Sequence, residues 1–180
     1  KTGAVAYFEA LVRLQAHTLS PSVFVPIAEE LDLTIPMGRW VIQQAIDQLA
    51  KCQDAGKPLK PIAVNLSPKQ FYDAELLDFL SDKLTEQQIP AGLLELEITE
   101  EVLLNHPEEA LRVIDKLKSL GVTMALDDYG TGYSSIDYLA KIQVDRMKLH
   151  ESLTEKFWDY VPVMEALISI AHGLGMEVVA

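Results

Sequence analysis

Six short apolar runs, each separated from the next by a longer stretch of helical periodicity, set the class of fold open to this chain. The runs cover residues 4–14, 61–66, 93–98, 122–126, 144–149 and 176–180, and the spacing predicts helices over 22–31, 37–55, 73–88, 107–120 and 154–174. Trp40, Val41, Ala45, Ile46 and Leu49 fall at helical spacing in the second helix, and Phe24, Leu31 and Trp40 are expected to pack helices together. Ser20-Pro21 offers a capping residue and a first-turn proline, while Gly121 and Gly175 stand where helix C-terminal glycines belong. Strand and helix alternating without interruption imply parallel strands joined by right-handed crossovers. Two architectures satisfy that pattern, an open doubly wound sheet and a closed barrel. Six strands of this kind cannot complete a barrel, so strand regions are expected to be missing at both ends.

Composition narrows the class. The 180 residues are 49% hydrophobic and 23% charged, the balance of one folded globular domain. No run approaches the ~18 apolar residues that span a bilayer, and Lys1-Thr2-Gly3 lacks the basic-then-apolar pattern of a secretory signal. A lone cysteine, Cys52, forms no internal disulfide. The net charge of −12 argues against a polymeric nucleic acid held by its backbone. It leaves room for a small phosphorylated ligand carried by a metal ion, whose charge dominates its surroundings.

A polar group closes each of the first five strands: Glu9 with Arg13, Asn65, Glu97, the pair Asp127-Asp128, and Lys148. In parallel α/β folds these C-terminal strand ends form the ligand face. Period-2 alternation puts Glu95, Glu97 and Thr99 on one side of their strand and Leu94, Leu96 and Ile98 on the other. Adjacent Asp127 and Asp128 would point oppositely in a regular strand. Both reach one site only if the strand ends there, and Tyr129-Gly130-Thr131-Gly132 offers the turn. Carboxylates meeting at ~4 Å repel by about 4 kcal/mol per pair at an effective dielectric constant of ~20. Such a cluster needs protons or cations, and carboxylate and amide oxygens suit Mg²⁺ or Mn²⁺. Gly130-x-Gly132-x-x-Ser135 mimics a dinucleotide-binding turn, but the two aspartates before it would repel a pyrophosphate. Taken singly, each of these polar residues would be a solvated or capping group. His17, His106 and His172 have no metal-ligand spacing, Glu95 is assigned a structural role, and Glu101, Glu108 and Glu109 read as helix N-terminal acids.

The segments FEALVR (8–13), AVNLSPKQF (63–71), ELEITEEVL (95–103), DDYGTGYSSIDYL (127–139) and VDRMKLH (144–150), with AHGLGMEVVA (171–180), resemble in order and spacing the motifs of the EAL domain family. The resemblance covers essentially the whole chain. It implies a TIM-like (β/α) barrel of about eight strands, the first antiparallel, of which six are present here within a single domain over 1–180. It also implies hydrolysis of cyclic di-GMP to linear pGpG with two ions of Mg²⁺ or Mn²⁺. On that basis Glu9, Asn65, Glu97 and Asp127 are metal ligands, Glu9 also belonging to the catalytic set, and Asp128 reaches the second ion. Lys148 orients the attacking water, Arg13 and Leu11 contact substrate, and Glu100 holds the loop 128–135, near which the family dimerises. A homodimer in the bacterial cytoplasm is expected, with any membrane attachment through neighbouring domains.

Three departures stand against the family pattern. No Tyr-Gln-Pro-like strand precedes FEALVR, and the chain stops before a Glu-Gly-Val-Glu motif and a later glutamine-containing strand. His150 stands where the family has aspartate in Lys-x-Asp. An imidazole cannot serve as an anionic partner for Lys148. The alternative function is therefore a weak or inactive receptor for cyclic di-GMP, or a protein-interaction module.

Overall fold

The computed structural model describes residues 3–15, 19–130, 136–155 and 157–180. Six strands, β1 (Phe8–Ala10), β2 (Ile62–Asn65), β3 (Leu94–Thr99), β4 (Thr123–Tyr129), β5 (Arg146–Leu149) and β6 (Glu177–Val179), lie side by side in chain order. Every neighbouring pair is parallel and the order never reverses, so the sheet is an open part of a TIM-like barrel rather than a doubly wound sheet, whose strand order would reverse at a switch point. The crossovers carry α1 (Pro21–Glu30), α2 (Thr34–Asp54), α3 (Pro68–Phe71), α4 (Leu76–Glu86), α5 (Glu100–Asn105), α6 (Pro107–Leu120), α7 (Ile136–Lys141), α8 (Glu151–Glu155) and α9 (Val161–Gly173). None of the described helices is long and apolar enough to cross a membrane.

The core sits between the sheet's outer face and the helices. Leu94, Leu96 and Ile98 of β3 and Met124 and Leu126 of β4 are fully buried there, packed in one cluster with Ile42 and Ile46 of α2, Leu80 of α4 and Ile114 and Leu117 of α6. Burying each such side chain contributes about 1.5–3 kcal/mol. The inner face is different in kind: Glu95 and Glu97 are buried beside Ala63 and Ala125. The alternation expected of β3 is therefore the alternation seen.

Several expected elements change at their edges. The run 4–14 pairs only at Phe8–Ala10, against Ile62, Ala63 and Val64 of β2. Helix 154–174 is broken into α8, a 3-10 turn at Phe157–Asp159, and α9. Pro162 in the first turn of α9 explains this, because proline donates no backbone bond and clashes with the preceding turn. Ser20 caps α1 by position only; its hydroxyl bonds Ser22 Oγ at 2.7 Å instead of a backbone N–H. Gly121 and Gly175 do adopt left-handed φ of 94° and 80° after their helices. Phe24 is buried as expected, but Trp40 and Leu31 are 55% and 62% exposed, Trp40 lining a cavity against the β1 segment and Leu31 a groove between α1 and α2.

The short helix α3 was not anticipated, although Ser67-Pro68-Lys69-Gln70 carries a capping box. Ser67 Oγ accepts from Gln70 N, and Gln70 Oε1 accepts from Ser67 N at 2.8 Å. Gln70 Nε2 also donates to Thr34 O at 2.6 Å, tying α3, and with it the end of β2, to α2. Gly38 makes room for this amide: a Cβ there would lie 1.9 Å from Gln70 Nε2. Gly38→Ala gains about 1 kcal/mol of helix propensity but displaces two hydrogen bonds whose loss costs about 1–3 kcal/mol each. The variant should unfold at lower urea concentration than the parent; an equal or higher midpoint contradicts this account.

Candidate active site

Five strands deliver one polar side chain each to the same rim, and Lys148 marks where they meet. Its Nζ donates to Glu97 Oε2 at 2.8 Å and lies 3.3 Å from Asp127 Oδ1 and 3.5 Å from Glu9 Oε2. Asn65 Nδ2 donates to Glu9 Oε1 at 2.9 Å and completes the group. The parallel register brings this about, since Asn65 stands beside Glu97 and Glu9 beside Ala63. Glu9, Glu97 and Asp127, named from distant parts of the chain, thus gather on Lys148, and Asn65 joins them through Glu9.

Asp127 and Asp128 are resolved by a different device from the one expected. The strand does not end at them; β4 continues to Tyr129, with a shift in its pairing to β5 between Leu126 and Tyr129. Asp128 adopts a left-handed φ of 55°, and its N–H donates to Asp127 Oδ1 at 3.0 Å. Aspartate tolerates this region better than most residues, at a cost of about 1–3 kcal/mol that is typical of functional sites. Burial raises the Asp128 carboxyl above its ordinary pKa, as does the charge of Asp127, while His150 and Lys148 oppose them.

The electrostatics of the rim follow from burial and crowding. Glu97, with no exposed side-chain surface, is pushed up to about 7, chiefly by burial; Glu9 and Asp127 add to the shift and Lys148 opposes it. Burial pulls Lys148 down, but the hydrogen bond and charge of Glu97, with Asp127 and Glu9, outweigh it and hold the ammonium above the ordinary lysine range. Four carboxylates, Glu9, Glu97, Asp127 and Asp128, face this one cation, so negative charge remains in excess. Among the described residues no three His, Cys, Asp or Glu groups form a ready-made cage. The donor set nevertheless fits a hard divalent ion: it is all oxygen, and buried Glu97 Oε1 has no hydrogen-bond partner.

The other expected site residues fall around this group. Glu100 is buried, and its Oε1 accepts from Gly130 N at 2.8 Å at the start of the expected loop; 131–135, with Gly132 and Ser135, lie outside the described residues, as does His17. Leu11 and Arg13 are exposed on the segment leaving β1. Arg13 Nη1 donates to Val12 O at 2.8 Å rather than to the cluster, but both residues share with Asn65 a cavity of about 240 Å³ between β1, α1 and α2. His150 follows β5, where its Nδ1 accepts from Ser152 N at 3.2 Å. An imidazole carries no negative charge in any of its protonation states. His150 therefore offers Lys148 no negative partner, and Lys148 takes three carboxylates elsewhere. His106 stacks edge-on to Tyr72 and His172 is exposed in the last turn of α9.

Sequence inspection missed Arg146 and Tyr7. Arg146 pairs with Glu95 at 2.6 Å and with Glu177 at 2.9 Å, and its guanidinium lies 4.4 Å from the centre of the Tyr7 ring. The signal was present: Arg146 precedes Lys148 by two residues, as Glu95 precedes Glu97.

Comparison with known proteins places these features in a family. The family model of the EAL domain matches residues 1–180. The cyclic di-GMP phosphodiesterase PdeR of Escherichia coli is 36% identical over 185 residues, covering 99% of this chain and 28% of PdeR. The signaling protein YkoW of Bacillus subtilis is 33% identical, covering 96% of this chain and 22% of YkoW. The chain thus spans about a quarter of the length of the curated relatives it matches. Among solved structures, the PaMucR phosphodiesterase in complex with c-di-GMP superposes with a TM-score of 0.89 at 30% identity, over 98% of this chain and 74% of its own. The FimX EAL domain of Xanthomonas citri in complex with c-diGMP gives 0.87 at 26%, over 97% of this chain and 70% of its own.

The raised Glu97 carboxyl has a consequence in pH. A group held at about 7 keeps its proton in the folded chain after an unfolded carboxyl has lost it. Stability without metal therefore falls as pH rises from the ordinary carboxylate range to about 7. A cation binding Glu97 must expel that proton, so its affinity falls as pH drops below about 7. Calorimetric titration with Mn²⁺ at several pH values should show this loss, approaching tenfold per pH unit where one proton is exchanged. A flat affinity from acid to neutral pH contradicts it.

Proposed function

The chain belongs to the EAL domain family, and from that membership together with the five-strand rim we propose that it hydrolyses cyclic di-GMP to linear pGpG with two divalent ions, Mg²⁺ or Mn²⁺. The observation that carries the proposal is the convergence of Glu9, Asn65, Glu97 and Asp127 around Lys148. Nothing in composition requires it, and its excess negative charge suits cations that in turn attract phosphate.

In this mechanism Glu9, Asn65, Glu97 and Asp127 would serve as metal ligands, and Asp128 would reach the second ion. When bound, the ions neutralise charge on the phosphate and make the attacking water more acidic. Lys148 orients that water, its ammonium lying among Glu97, Asp127 and Glu9. Arg13 contacts a phosphate oxygen, and Leu11 packs on the ligand at the mouth of the cavity shared with Asn65. The water oxygen bonds to phosphorus as the bond from phosphorus to the 3′ oxygen breaks; one water proton ends on that oxygen and the other is released as the new phosphate monoester ionises. Glu100 keeps the backbone after Asp128 in place through Gly130 N. A homodimer formed near the loop 128–135 and a location in the bacterial cytoplasm complete the proposal.

His150 favours a second reading, a receptor that binds cyclic di-GMP without cleaving it, because the family aspartate is absent there. The partners of Lys148 weigh against this: its charge is balanced without residue 150. Incubation of the full-length protein with Mn²⁺ and cyclic di-GMP should yield pGpG on chromatography. Glu97→Gln should lower turnover by at least ~100-fold, the scale of losing one electrostatic contributor to a transition state. Turnover by Glu97→Gln equal to the parent's refutes the site; binding without product from the parent selects the receptor.

A further inference from the structure

Below the rim lies a second level of charge that the proposed chemistry does not use. Arg146 precedes Lys148 by two residues on β5, and Glu95 precedes Glu97 by two on β3, so each pair shares the inward face of its strand. Arg146 Nη1 donates to Glu95 Oε1 at 2.6 Å, and Lys148 Nζ donates to Glu97 Oε2 at 2.8 Å. These are two rungs of one ladder, and both reach over β4, which runs between the two strands. They can do so because the intervening inward residue is Ala125, which is fully buried and adds only a methyl group.

The rungs are not interchangeable. Arg146 Nη2 also donates to Glu177 Oε2 at 2.9 Å, so one planar fork serves two carboxylates on different strands, which a lysine ammonium matches poorly. Glu95 is 1% exposed and cannot fall back on water. Deprived of Arg146 it would draw the nearest cation. That cation is Lys148, one step of about 7 Å along the same strand face on a flexible four-carbon stem.

We propose that Arg146 is a positioning residue: by occupying Glu95 it denies that carboxylate to Lys148 and keeps the Lys148 ammonium at the rim, among Glu97, Asp127 and Glu9. The inference rests on the role given to Lys148 under the proposed function, but its location readout does not need turnover. A lower rung that merely braced the sheet would affect stability without moving Lys148.

Crystal structures and steady-state kinetics of the full-length protein, Arg146→Met, Glu95→Gln and the double variant separate these roles. In Arg146→Met, Lys148 Nζ should leave Glu97 for Glu95, and kcat should fall by about 10–100-fold, the range for lost supporting contacts, with KM little changed. Adding Glu95→Gln should return Lys148 to Glu97 and recover most of kcat, a rescue that general destabilisation cannot produce. Should Arg146→Met not fold, Arg146→Leu likewise leaves Glu95 without a donor and is read in the same way. Lys148 remaining on Glu97 in the neutral variant overturns the proposal, as does a double variant that leaves Lys148 displaced. A parent protein without turnover would refute the hydrolase alone, and the position of Lys148 would still decide the role of Arg146.

Discussion

Mutual repulsion of carboxylates is the constraint around which this molecule is arranged. Glu9, Glu97, Asp127 and Asp128 come from three strands and gather at one rim, where each close pair costs kilocalories. A fold can hold such a group only if its backbone is fixed by something else. Here that is the parallel sheet and the apolar layer outside it, in which Leu94, Leu96, Ile98, Met124 and Leu126 are sealed under helices. The ammonium of Lys148 offsets part of the repulsion, and the remainder would favour binding of a cation, as proposed.

The same division explains the two faces of the sheet. Hydrophobic burial acts on the outer face and sets stability; the inner face is free to carry charge. Alanine at positions 63 and 125 keeps that interior open, and the long side chains of Arg146 and Lys148 use the space. The polar interior is thus not a defect in a core but the part of the half-barrel whose geometry has been reserved for chemistry.

Much of this was legible in the sequence, because strand alternation and strand-end chemistry are local and periodic. Leu-Glu-Leu-Glu-Ile-Thr at 94–99 declares its two faces without reference to anything distant. What could not be read depends on contacts between strands. The left-handed turn of Asp128 follows from a shift in pairing between β4 and β5, invisible in either segment alone. The partner of Glu95 lies 51 residues away on a strand that is not its neighbour. The run 4–14 pairs with β2 at only three residues, Phe8–Ala10, an extent its own apolar pattern does not mark. The Ser67–Gln70 capping box of α3, by contrast, is written in the sequence, although the helix it starts has only four residues.

Whether the rim holds a cation is the decisive question. Crystals of the full-length protein equilibrated with Mn²⁺ and measured at the manganese absorption edge would show it directly. An anomalous peak at normal coordination distance from oxygens of Glu9, Asn65, Glu97 and Asp127 is the result expected. Full-occupancy manganese elsewhere on the molecule, with these four side chains still gathered on Lys148, would contradict it.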